Sequence, residues 1–108
     1  MTDRELLEAA AKAAGIEYRP AVSARVVGMG VTGSPHLRSW NPLTDDGDAL
    51  RLAVKLKLEI DIINNGIAAR TQRGEKILVD AKEEACAYAA TRRAIVRAAA
   101  SLAPKETT

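Results

Sequence analysis

The sequence predicts an α+β fold: a three-stranded antiparallel meander with helices packed on one face. Three observations carry that expectation. Residues 58–79 contain three short aliphatic runs separated by the turn signals Asn64-Asn65-Gly66 and Gln72-Arg73-Gly74. Helical periodicity flanks this block on both sides, at 46–57 and 80–103. A further alanine-rich stretch opens the chain. The expected order is helix, irregular segment, helix, three strands, helix, in a single domain over residues 1–108.

The first helix is expected over Asp3–Ala14. Thr2 or Asp3 can cap it, Glu5 stands at capping-box spacing from Thr2, and Gly15 suits the position after its end. Leu6, Ala9, Ala10 and Ala13 form its apolar stripe. Residues 16–43 are expected to be an irregular loop, punctuated by Pro20, Gly28, Gly30, Gly33, Pro35 and Pro42, with a short strand near Val22–Val27. The second helix runs from Asp46 to Lys57, where Leu50, Ala53 and Val54 share a face flanked by Leu52 and Leu56. Apolar residues over more than half its circumference predict a well-buried helix. In the meander, Leu58, Ile60 and Ile62 alternate with Glu59 and Asp61, and Ile77 pairs in phase with Val79. Asp80, with Glu83 three residues on, predicts the start of a last helix that ends at Pro104 and buries Ala85, Ala89, Val96 and Ala99. A frayed tail, 104–108, follows.

Composition narrows the function classes. Only 3% of residues are aromatic against 47% hydrophobic, so Ala, Val, Leu and Ile must build the core. A single cysteine, Cys86, excludes an internally stapled secreted fold. The N-terminus lacks the basic start and apolar run of a signal peptide, and no apolar run approaches a membrane span. These features predict a cytoplasmic protein with no membrane contact. Net charge is +2, but residues 51–108 hold eleven Lys/Arg against seven Asp/Glu. That half allows nucleic-acid contact without requiring it.

The motifs give little chemistry. Gly28-Met29-Gly30-Val31-Thr32-Gly33 has phosphate-loop spacing, but no helix follows it directly, so a flexible loop is the favoured reading. Asp45, Asp46 and Asp48 lack the spacing and closing glutamate of a calcium loop and are read as helix-capping acids. One histidine, His36, and one cysteine cannot assemble a zinc site or a convincing nucleophile–base pair. Cys86, inside the expected helix, is read as a small hydrophobe. No catalytic residue, metal ligand or cofactor is assigned, and the chain is read as a non-enzyme. Arg92, Arg93 and Arg97 form a basic ridge that either meets a partner or pairs with carboxylates of the same chain. Trp40, in a proline-flanked loop, is either an exposed anchor or a lid folded over the core. The element order also resembles the double-stranded RNA-binding domain, yet Ala81-Lys82-Glu83-Glu84 is acidic where that family is lysine-rich.

Two blocks carry a more specific likeness. Residues 40–56, beginning Trp40-Asn41-Pro42-Leu43-Thr44-Asp45-Asp46-Gly47-Asp48, and residues 89–100, containing Thr91-Arg92-Arg93-Ala94-Ile95-Val96-Arg97, resemble the small accessory proteins of tailed phages and prophages that include the NinX-like group. A short meander stands between the blocks where that group has a longer, variable stretch. The resemblance implies expression in the host bacterial cytoplasm, and action by binding a host or phage protein. The partner-binding candidates are Trp40, Asp45, Asp46 and Asp48 with Arg92, Arg93 and Arg97. The alternative is nucleic-acid binding through the basic C-terminal half. A homodimer is compatible with alanine-rich helices and uncovered strand edges.

Overall fold

The computed structural model describes residues 1–104 and contains three helices and two three-stranded antiparallel sheets, an α+β fold. Helix α1 spans Asp3–Ala14. The Thr2 hydroxyl accepts from the Glu5 amide at 3.2 Å, and Gly15 closes the helix in the left-handed region (φ 69°), a conformation a Cβ would disfavour. The buried stripe is Leu6, Leu7, Ala10, Ala11 and Ala14, rotated by about one residue from the expected one.

Residues 16–43 are not irregular. They form β1 (Tyr18–Arg19), a 3-10 turn at Pro20–Val22, β2 (Ala24–Met29) and β3 (Pro35–Ser39), paired in the order β1-β2-β3. The glycines that suggested a loop shape this hairpin instead. Gly28 follows a register slip after Val26, and the turn is closed by the Gly30 amide donating to the Ser34 carbonyl at 2.6 Å and the Gly33 amide donating to the Gly30 carbonyl at 2.9 Å. The second sheet is the expected meander: β4 (Glu59–Ile63), β5 (Gly66–Arg70) and β6 (Lys76–Asp80), with Asn64-Asn65 as the first turn. Its register sets Ile60, Ala69 and Ile77 in one row across the three strands and Ile62, Ile67 and Val79 in another, on the face toward the helices.

Helix α2 covers Asp46–Leu56 and α3 covers Ala87–Ser101. The last helix thus starts one to two turns later than expected. Asp80 caps only a 3-10 turn, Ala81–Glu83, accepting from the Lys82 amide at 2.8 Å, and Glu84 is extended. Cys86 is the true cap: it is exposed, and its sulfur accepts from the Ala89 amide at 3.5 Å, so it is not the small core hydrophobe expected. The later start also moves the buried face. Ala85 is exposed and Ala89 half-buried, while Ala90, Ala94 and Ala98 are fully buried. The tail beyond Pro104 lies outside the described residues.

Helix α3 lies between two apolar clusters. Ala90, Ala94 and Ala98, four residues apart, face Ile67, Ala69 and Val79 of the meander. Ile95, Val96 and Ala99 face α1 and α2, with Leu52 and Trp40 in the same cluster. Leu58 and Ile60 touch both clusters. Methyl side chains at the three sheet-facing positions let the helix approach β5 and β6 closely, so extra volume there has nowhere to go. Ala94→Leu should therefore lower stability by about 1–3 kcal/mol through overpacking. Leu52→Ala, which opens a void beside fully buried neighbours, should cost about 2–5 kcal/mol. Urea unfolding followed by the fluorescence of Trp40, the sole tryptophan, measures both.

Candidate functional site

The segment 40–48 is a folded joint, and its residues are engaged within the chain. Trp40 is 2% exposed and meets Tyr18 edge-on, with ring centroids 5.1 Å apart. It is a core residue, and its candidacy as an exposed anchor is corrected. The Asn41 side chain accepts from the Leu43 amide at 3.0 Å, while its carbonyl accepts from the Thr44 and Asp45 amides. Asp45 caps α2 by accepting from the Asp48 amide at 2.8 Å. Asp48 in turn accepts from the Asn41 amide at 3.0 Å and from Arg51 at 2.8 Å. Carboxylates in the first turn of α2 also suit the positive end of its dipole.

The arginine ridge is likewise occupied. Arg92 donates from Nε to the Leu43 carbonyl at 2.9 Å and from Nη1 to Asp46 at 2.5 Å. One planar guanidinium thereby ties the joint to α3 across 49 residues of sequence separation. Arg93 forks onto both Asp3 oxygens, at 2.9 and 3.3 Å, and also meets Glu84. Arg97 pairs more loosely with Glu83 at 3.5 Å. The hydrogen bond from Arg93 holds the Asp3 carboxyl below the usual aspartate range, against a smaller opposing effect of burial. The structure thus brings Asp46 and Arg92 together, and scatters the remaining candidates among separate contacts that bind the fold to itself.

One uncovered patch is apolar. Leu50 of α2, Ile62 of β4 and Tyr88 of α3 are 64%, 66% and 72% exposed. They surround a groove of about 310 Å³ whose floor includes Ala49 and Ile95, with the Asp46–Arg92 pair in its wall. Leu50 and Ile62 were expected to be core. α2 buries Ala49, Leu52 and Ala53 instead, which leaves Leu50 and Val54 on the outside. Ile62 lies on the helix-facing side of β4 but near the strand's end, where the cover is incomplete. A second hollow of about 470 Å³, on the outer face of the meander, is lined by Glu59, Asp61, Arg70 and Lys76. There Arg70 pairs with Glu59 at 3.6 Å, so the hollow is lined by mixed charge, while Ile63 and Leu78 are exposed elsewhere on the same face. Comparisons with family models, curated proteins and solved structures give no match for the chain. The function must be argued from the geometry.

Two outcomes test the joint. Arg92→Ala should lower stability by about 1.5–3 kcal/mol, since a charged hydrogen bond and a carbonyl partner are lost together; Arg92→Lys should restore only part, because an ammonium cannot span both acceptors. For Asp3, whose pKa is lowered in the folded state, the added stability is complete above the unfolded-state value of about 3.9 and is lost as pH falls through the lower folded value. The stability difference between wild type and Asp3→Asn, from urea unfolding at a series of pH values, should therefore close on acidification.

Proposed function

We propose that this chain is a small accessory protein of phage or prophage origin that acts by binding another protein, of the host or of the phage, in the bacterial cytoplasm. The observation that carries the reading is the groove between α2, β4 and α3. Three large apolar side chains stand more than half exposed around one concavity, an arrangement typical of an interaction surface rather than of scattered surface hydrophobes. A partner fits it by inserting an apolar side chain between Leu50 and Tyr88, while its polar rim meets Asp46 and Arg92. The sequence likeness of residues 40–56 and 89–100 to phage accessory proteins supports the origin. No helix among the described residues is long and apolar enough to cross a membrane.

The alternative, nucleic-acid binding through the basic C-terminal half, finds less support. Its arginines Arg92, Arg93 and Arg97 each face a carboxylate, so the ridge presents little unbalanced positive charge to phosphates.

A photoreactive residue in place of Tyr88 should crosslink to a discrete protein in lysate of infected or lysogenic cells, and the Leu50→Asp change should abolish that adduct. The same probe at Lys76, on the outer face of the meander, serves as the control. An adduct of equal yield at both positions would remove the groove from the reading. A self-adduct at position 88, with a dimer in sedimentation, would show that a second copy occupies it.

A further inference from the structure

From Tyr18 to Thr44 the chain contains no Asp or Glu, although there are 14 in the whole sequence, and the same stretch carries Arg19, Arg25, His36 and Arg38. The structure folds this acid-free stretch into the β1–β2–β3 sheet. Arg19 pairs with Glu17 at 3.4 Å. Arg25, on the central strand, stands between Tyr18 of β1 and Arg38 of β3, so both guanidinium groups leave the sheet on the same face. Neither has a carboxylate partner among the described residues. Like charges directly opposite each other destabilise a ladder, and no ion pair among the described residues offsets them. His36, opposite Gly28, continues the same face toward the tip. Its ring lies so close over Gly30 that a Cβ there would stand 2.9 Å from Nε2, so the turn needs glycine at this position. Beyond it, Met29 and Val31 are exposed at the end of the hairpin.

We propose that the β2–β3 hairpin is a DNA-binding arm that places Arg25 and Arg38 on the phosphates of a B-form duplex. Charge complementarity with a polyanion relieves the unbalanced pair, and an arginine fork matches phosphate geometry. The shape narrows the polyanion. Beyond Arg25 the sheet narrows to the two strands β2 and β3; such an antiparallel ribbon fits the major groove of B-form DNA, whereas the deep, narrow major groove of A-form RNA does not admit one. His36 is an exposed ring on the arm, and a single imidazole does not make the row of successive rings that single strands stack on. Six residues of β2 at about 3.3 Å each reach ~20 Å, enough to lie along the groove wall. The exposed apolar tip suits contact with base edges or with the sugar walls. The arm stands apart from the α2–β4–α3 groove, and the two surfaces can fail independently.

Fluorescence anisotropy with a labelled 20-base-pair DNA duplex tests this, with duplex RNA, single-stranded DNA and a polyglutamate peptide as competitors. The full chain should bind the DNA duplex at low salt and lose about tenfold in affinity between 50 and 200 mM salt, as release of counterions from two phosphates requires. Arg25→Ala or Arg38→Ala should each weaken binding and reduce the salt slope by about one, while Tyr88→Ala leaves it unchanged. The same arginine variants should raise Tm by roughly 1–5 °C, because the cross-strand repulsion is gone; a purely structural arginine would lower it. Failure to bind duplex DNA at low salt would overturn the proposal, as would affinity indifferent to both arginines. Equal competition by duplex RNA would overturn the groove assignment, and preferential binding of polyglutamate would make the arm a reader of acidic polypeptides.

Discussion

The close seating of α3 is the constraint on which the rest of the structure depends. The helix must bury one side against the meander and another against α1 and α2, and it has only short side chains to do so. Ala90, Ala94 and Ala98 give one smooth flank, and Ile95, Val96 and Ala99 give the other. Alanine carries almost no side-chain entropy to lose on folding and favours the helix intrinsically. It also contributes little apolar area, at about 25 cal/mol per Å² buried. A core of this composition relies on density more than on bulk.

Polar contacts compensate for that thin core, and they act where the elements would otherwise separate. Arg92 fastens the 40–46 joint to α3, Arg93 fastens the first turn of α1, and Arg97 fastens the turn after β6. Each arginine rises from the helix that packs on α1, α2 and the meander, and each reaches a different segment. Exposed ion pairs contribute little individually, but Arg92 and Arg93 are mostly sheltered on the arginine side. Arg92 also satisfies a backbone carbonyl in a loop with no ladder of its own. The joint and α3 lie far apart in sequence, and this one guanidinium holds them together in space.

Much of the fold was legible in local sequence signals. The Thr2 cap, the Gly15 terminus, the Asp45 cap and the two turns of the meander each follow from a short pattern with a local mechanism. The errors arose where the deciding contact is distant. Asp80 at capping-box spacing from Glu83 reads as a helix start, but the strand pairing of β6 extends through Asp80 and delays α3 to Ala87. Glycines at 28, 30 and 33 read as a loop, because a bulge and a tight hairpin turn use the same residues as disorder does. Leu50 and Ile62 read as core from their spacing, and no local pattern reveals where the covering layer stops.

The candidate site shows the same division in a sharper form. The residues that stand out in the sequence, a tryptophan, a cluster of aspartates and a row of arginines, are rich in directional chemistry, and the fold consumes that chemistry internally. Trp40 fills the core, Asp45 caps a helix, and the arginines answer the acids. What remains available for a partner is recognisable only by surplus or absence. α2 has more apolar circumference than one buried face can use, and the excess, Leu50 and Val54, remains outside. The β2–β3 arm has arginines but no acids, and the unanswered charge, Arg25 opposite Arg38, remains on one face. Surplus and absence are defined relative to a finished fold, since only the structure shows which apolar faces are already covered and which charges already paired. Groups that the finished fold leaves uncovered or unpaired, such as Leu50 and Arg25, are the ones with chemistry free to meet an outside surface.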